Sequence, residues 1–289
     1  MMKCRQIMTF CADGEAIVKE QELPVTREAD EPVHLESGVI NLYPEITYQE
    51  IEGFGCAITE TSAYLLSEME EAARRDILQK FFGKDGSRLH FIRTHIDSCD
   101  YSLEEYQAVK DPLQDPELLT FSLERDRKYI LPVLKEALDI SRESGNGEMA
   151  VLLSPWSPPY QWKTPPARPK NDAGVYGGPG HEMKVDYTTP SRNNGGSLKP
   201  EYYGSWAKYL VKYIQAYLDE GVPVTMLTMQ NESIAATNWD SCVWTAEEQK
   251  TFLKEFLYPE MKRAGLAEKV GIYIWDHNKE RVLEWALDM

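Results

Sequence analysis

Positive charge, paired cysteines and long apolar runs are all scarce in this chain. Its 289 residues hold 31 Lys and Arg against 47 Asp and Glu, a formal net charge of −16. An acidic excess of that size argues against non-specific binding to nucleic acid or to an anionic membrane, because both need basic surface. A neutral ligand stays open, and so does local positive charge. No run of about 18 apolar residues occurs, so no membrane span is expected. Met1 to Gly14 includes Lys3, Arg5 and Asp13 and has no continuous apolar core of signal-peptide length, which points to a cytoplasmic protein. The cysteines, Cys4, Cys11, Cys56, Cys99 and Cys242, are odd in number and fit no zinc or CxxC spacing. They read as reduced thiols of the same compartment. His95 and His277 lack metal-ligand spacing, and there is no glycine-rich phosphate loop and no GxSxG elbow. No metal and no cofactor is expected.

The composition is that of an ordinary globular protein, 42% hydrophobic and 27% charged. One α/β barrel of about 250 residues would fit. Strand-like segments alternate with helix-like ones. The strand candidates are Ile51–Ile58, Leu89–Ile96, Met149–Leu153, Val222–Met229 and Val270–Trp275. Several are nearly continuous apolar runs, as in strands of a parallel sheet buried on both faces. Ser67 with Glu70 predicts a capping box opening a helix to Phe82, and Thr245 with Glu248 predicts another. Glu124–Arg142 has helical spacing, with Pro132 either kinking it or marking its start. Trp206–Leu218 places Tyr209, Tyr213 and Tyr217 on one face. This order predicts a parallel sheet with helices outside it. Residues 1–45, punctuated by Gly14, Pro24, Pro32, Gly38 and Pro44, look instead like strands of a small side β-domain, and the barrel is expected over 46–289. The Pro-, Gly- and Asn-rich stretch Ser157–Lys199 carries Tyr160, Trp162 and Tyr176. It leaves a strand's C-terminal end, so it reads as an active-site wall rather than a surface insertion.

The residues able to do chemistry fall at strand C-termini, where barrels keep their active sites. They are Arg93, Asp97 and Asp100, then Trp156, then Asn231 and Glu232, then Asp276, His277 and Asn278. Carboxylates, an amide and an indole suit a sugar, whose hydroxyls take directional hydrogen bonds and whose apolar face lies on a ring. Buried beyond Met229, Glu232 would keep its proton and act as a general acid. From position alone it reads also as a helix-capping or surface glutamate. Likewise Arg93 reads also as a structural ion-pair partner, Asp100 as a loop cap and Trp156 as core.

Four motifs, taken together, resemble glycoside hydrolase family 30, the glucosylceramidase family. They are Gly53-Phe54-Gly55-Cys56-Ala57-Ile58-Thr59-Glu60, Arg93 through Ser98-Cys99-Asp100-Tyr101, Leu152-Leu153-Ser154-Pro155-Trp156 and Thr228-Met229-Gln230-Asn231-Glu232. The resemblance runs in order from about Tyr43 onward. It implies a (β/α)8 TIM barrel, of which this chain holds about the first five units, with a side β-domain. It also implies retaining hydrolysis of a β-glycoside, either a small molecule or an oligosaccharide. On it, Glu232 matches the acid/base and Asn231 the neighbour that bonds the sugar 2-hydroxyl, while Arg93, Asp100 and Trp156 line the −1 subsite. The family's nucleophile, a glutamate ending the seventh strand, is expected on the order of 60 residues beyond Met289. Glu280 and Glu284 match nothing in the pattern. The chain alone is therefore expected to be nearly inactive and, with open sheet edges, to associate. A non-catalytic sugar-binding protein is the alternative, and a β-xyloside or β-1,6-glucan the alternative substrate. The long Ser157–Lys199 stretch differs from the animal lysosomal enzymes, so a lipid aglycone is not implied.

Overall fold

A computed structural model of the chain describes residues 4–12, 15–23, 43–164, 193–237 and 239–289. The chain divides into two units, Met1–Ile51 and Glu52–Met289. In the first, β1 (Cys4–Ala12) pairs antiparallel with β2 (Glu15–Leu23). The turn at Gly14, and the punctuating Pro24, Pro32 and Gly38, lie outside the described residues.

The second unit is a five-stranded parallel sheet in the order β3-β4-β5-β6-β7. After β3 (Gly55–Ala57) come α1 (Glu60–Ser67) and α2 (Glu71–Phe82). Next is β4 (Phe91–Ile96), followed by α3 (Glu124–Lys128) and α4 (Ile130–Glu143). Then β5 (Ala150–Pro155) leads to α5 (Tyr203–Asp219). After β6 (Val224–Thr228), α6 (Ala246–Phe252) runs through a π-helical turn (Leu253–Leu257) into α7 (Tyr258–Arg263). Last come β7 (Gly271–Tyr273) and α8 (Val282–Asp288). Strands adjacent in sequence are adjacent in the sheet, each joined to the next by a helical crossover. This is the progression of a TIM-barrel wall, and the barrel is only partly present.

Local chemistry explains most boundaries. Thr245 and Glu248 form the expected capping box. The one expected at Ser67 and Glu70 does not form, because the Ser67 hydroxyl donates to the Tyr64 carbonyl. Thr59 and Ser62 cap an earlier helix instead. Pro132 marks a start rather than a kink: the backbone breaks at Tyr129, and the proline sits in the first turn of α4, where its missing N–H costs nothing. Gly55 is obligatory, since an added Cβ would lie 2.5 Å from the Phe91 carbonyl oxygen.

The two faces of the sheet differ. Ile92, Val151, Leu153 and Leu227 point to the helix layer and are fully buried. Phe91, Arg93, Leu152 and Met226, on the other face, are only half-buried and line an open cleft of about 530 Å³. The expected burial on both faces is therefore met on one face only. Near the two sheet edges, Phe54 and Tyr273 are exposed, as are Leu283 and Leu287 on α8.

Beneath the helix layer, Tyr209, Tyr213 and Tyr217 recur every fourth residue along α5 and are fully buried. The Tyr209 hydroxyl lies 2.8 and 2.6 Å from the two Asp97 oxygens, and the Ala108 N–H donates to Asp97 Oδ1 at 2.9 Å. Tyr213 and Tyr217 donate to Asp126 at 2.9 and 2.7 Å. Burial outweighs these bonds. It pushes Asp97 up to about 8 and Asp126 up to about 6.

Two outcomes are expected. Asp97 binds its proton more tightly folded than unfolded, so its contribution weakens stability as pH rises from about 4 to about 8. Asp97→Asn should remove that slope, read as the difference in Tm between variant and parent across the window. An unchanged difference at pH 5 and pH 8 would refute it. Second, the open edges and exposed apolar side chains should make the isolated chain self-associate. Light scattering after size exclusion tests this, and a monodisperse monomer with one cooperative melt contradicts it.

Candidate active site

The C-terminal ends of β4 to β7 meet at one rim. Arg93 stands near its centre. Its Nη2 donates to Ser154 Oγ at 3.0 Å, Asn231 Oδ1 at 2.7 Å and Asp276 Oδ2 at 2.8 Å. The guanidinium carbon lies 4.4 Å from the Trp156 ring centroid, a cation–π contact. Arg93 Nε is buried and has no partner among the described residues. The arginine's polar reach is therefore directed into the sheet through one nitrogen.

Glu232 and Asn231 are set by backbone bonds to both neighbouring strands. The Asn231 N–H donates to the Pro155 carbonyl and the Glu232 N–H to the Asp276 carbonyl, each at 2.8 Å. Asn231 Oδ1 takes the Arg93 bond, which leaves Nδ2 as the group free to donate to a ligand. Glu232 is half-buried rather than enclosed, so the burial expected for it is not what the structure has. Its carboxylate takes no hydrogen bond from any described residue. Glu232 adopts φ +49°, and Asp97 and Trp275 at the ends of β4 and β7 adopt +57° and +58°. Left-handed backbone at non-glycine residues costs on the order of 1 kcal/mol each and gathers at functional sites.

Asp100 lies close enough to sense the same groups. Burial chiefly, and the Glu232 charge next, raise its pKa, while Arg93 and a hydrogen bond with Trp156 pull the other way. Its Oδ1 is buried without a described partner. Trp156 is buried, with its ring edge-on to His95.

His95 is not a competitor for proton transfer. Its Nδ1 bonds the Asp97 carbonyl oxygen and its Nε2 accepts the Glu60 N–H at 3.0 Å, which requires the neutral ring protonated on Nδ1. Burial chiefly, helped by the Arg93 charge, holds its pKa down at about 4. His277 stacks on Trp275, and its Nδ1 accepts the Asn278 N–H. Glu280 lies in a 3-10 turn and Glu284 pairs with Arg281 on an exposed surface, so neither meets the rim.

Sequence reasoning gave no role to Gln230 or Lys163. The Gln230 amide donates to the Trp156 and Asn231 carbonyls at 2.6 and 2.8 Å and accepts from Trp244 Nε1 at 3.2 Å, tying β5 to β6. Lys163 is buried, and its ammonium donates to the carbonyls of Asn193, Gly195 and Ser241. It thereby joins the two ends of the long stretch after β5 to the loop after β6. Trp162, expected in a ligand-facing wall, is fully buried and stacked on Tyr202. The middle of that stretch, 165–192 with Tyr176, lies outside the described residues.

Known proteins resemble this chain in sequence and in fold. A putative glucosylceramidase 3 of Caenorhabditis elegans is 30% identical over 246 residues, covering 83% of this chain and 42% of that protein. The crystal structure of SrfJ from Salmonella typhimurium superposes with a TM-score of 0.76 at 29% identity, covering 99% of this chain and 56% of that one. The endo-beta1,6-glucanase BT3312 superposes with a TM-score of 0.66 at 35% identity, covering 84% of this chain and 48% of that one. The chain thus spans about half the length of the relatives it matches. Residues 51–289 match the family model of the glycosyl hydrolase family 30 TIM-barrel domain, and the chain belongs to that family.

Proposed function

We propose that these residues form the acid/base half of a retaining β-glycoside hydrolase acting on a β-glucoside. The observation that carries this reading is the rim itself. Among the described residues nothing hydrogen-bonds the Glu232 carboxylate, and beside it the Arg93 bond engages Asn231 through Oδ1 and not through Nδ2. In the reading, Asn231 Nδ2 donates to the sugar 2-hydroxyl, Trp156 and Arg93 frame the −1 subsite, and Asp100 accepts a sugar hydroxyl. Glu232 protonates the leaving oxygen and later deprotonates the attacking water. The nucleophile must be a second carboxylate. Asp276 is poorly suited, because one of its oxygens already accepts three hydrogen bonds. We assign the nucleophile to a part of the barrel other than the five units present here.

The leaving group has two candidates. The putative glucosylceramidase supports a lipid glucoside. The 35% identity to an endo-beta1,6-glucanase supports a β-1,6-glucan. Binding separates them. A glucan site prefers a β-1,6-linked glucose disaccharide to methyl β-glucoside, since a second sugar occupies the leaving-group side. A lipid site gains nothing from the second sugar.

Chain 1–289 is expected to bind methyl β-glucoside weakly, with about tenfold loss for Trp156→Ala and little change for Glu232→Gln. Calorimetry reads both. Turnover of an aryl β-glucoside should stay at background. A rate abolished by Glu232→Gln would show that a second carboxylate lies within these residues after all.

A further inference from the structure

One carboxylate at the rim has no part in the sugar contacts just described, yet it touches more of the site than any of them. Asp276 Oδ2 accepts from Arg93 Nη2 at 2.8 Å, from Ser154 Oγ at 2.6 Å and from Thr228 Oγ1 at 3.0 Å. These donors come from β4, β5 and β6. The Asp276 carbonyl accepts the Glu232 N–H, and Asp276 forms an isolated parallel bridge with Asn231.

Counting protons shows why a carboxylate is needed. Arg93 Nη2 carries two protons and faces three oxygens within 3.0 Å: Ser154 Oγ, Asn231 Oδ1 and Asp276 Oδ2. Ser154 and Thr228 carry one hydroxyl proton each, and Thr228 Oγ1 also lies 2.9 Å from Ser154 Oγ. All of these donors converge on one acceptor atom. A negative oxygen accepts them at low cost, whereas a neutral amide oxygen would lose the charge assistance and leave the arginine unneutralised.

We propose that Asp276 is a positioning residue for the glycosidase site. Through its side chain it holds the Nη2 edge of Arg93 in the sheet, so that the guanidinium face lies on Trp156 and Asn231 keeps its Oδ1 toward the arginine. Through its carbonyl it fixes the backbone turn that presents Glu232. It touches no substrate and transfers no proton. The effect on sugar binding rests on the site reading above; the effect on Arg93 does not.

The test uses chain 1–289 and two readouts. The first is the side-chain amide NMR spectrum of Arg93, assigned by its loss in Arg93→Lys. Asp276→Asn, nearly isosteric, should shift the Arg93 Nε–Hε signal and speed exchange of its Nη protons, while the far-UV spectrum persists. The second is methyl β-glucoside affinity, expected to fall by about tenfold, with Asp276→Glu restoring part of it. Unchanged Arg93 signals in Asp276→Asn overturn the proposal whatever the parent binds. If the parent chain binds no glucoside, the sugar-site reading fails, and the Arg93 spectrum still decides the role of Asp276. Should Asp276→Asn not fold, Asp276→Glu is read instead. It moves the charge by one methylene, and Arg93 signals identical to the parent's overturn the proposal.

Discussion

The ion pair of Arg93 and Asp276 is the constraint on which the rim depends. Its side chains are 27% and 20% exposed, so neither charge is fully stripped of water. An ordinary surface pair contributes about 0–1 kcal/mol. This one matters for where it sits more than for its strength. The Asp276 carboxylate gathers donors from three successive strands, and each donor points to the same side of the sheet. Side chains alternate with a period of two, so a slip of one residue in β4 would turn Arg93 into the helix layer. The observed register, with Arg93 opposite Leu152 and His95 opposite Ser154, is the one that brings the donors together. The polar cluster and the strand register therefore specify each other.

Stability comes mainly from the opposite face. Ile92, Val151, Leu153 and Leu227 are shut against helices, and α5 brings a column of buried tyrosines to the same layer. The cleft face holds Phe91, Leu152 and Met226 only half-covered. Apolar area left in water forgoes about 25 cal/mol per Å². The inner residues are thus apolar enough for an interior but are not used as one by the described residues. The nearly continuous apolar runs of the strands suit burial on both sides, and this partial barrel provides one.

That mismatch also marks what could be read in advance. The strands were legible because Ile92, Val151 and Leu227 sit within apolar runs that need no partner to be recognised. Their C-terminal ends were legible by the same token, and they bring Arg93, Trp156, Asn231 and Asp276 to one rim, with Glu232 beside them. The capping box at Thr245 is a short-range motif and formed; Ser67 failed because it is the last residue of α1, where its hydroxyl bonds the Tyr64 carbonyl instead. Features that depend on contacts between segments distant in sequence were not legible. The convergence on Asp276 is one, the left-handed backbone of Glu232 another, and the three-carbonyl seat of Lys163 a third. Likewise the tyrosine face of α5 was visible, but its partners Asp97 and Asp126 lie about a hundred residues away in sequence and have no local signature.

The buried network narrows the chemistry as well as the fold. Three kinds of group near the rim can move protons: a histidine, a set of aspartates and a glutamate. His95 has its one donor and its one acceptor both bonded to main chain, and burial keeps it neutral, so it has nothing to exchange. Asp97 is closed in by Tyr209 and Ala108. Asp276 is occupied by Arg93 and two hydroxyls. Asp100 is raised by burial and by the charge of Glu232, which favours a hydrogen-bonding role over a second anion beside the first. His95, Asp97 and Asp276 are excluded by their own contacts, and Asp100 by the charge beside it. Glu232 is left as the carboxylate at the rim that is partly accessible and takes no hydrogen bond among the described residues, and its backbone bond to the Asp276 carbonyl holds it in place.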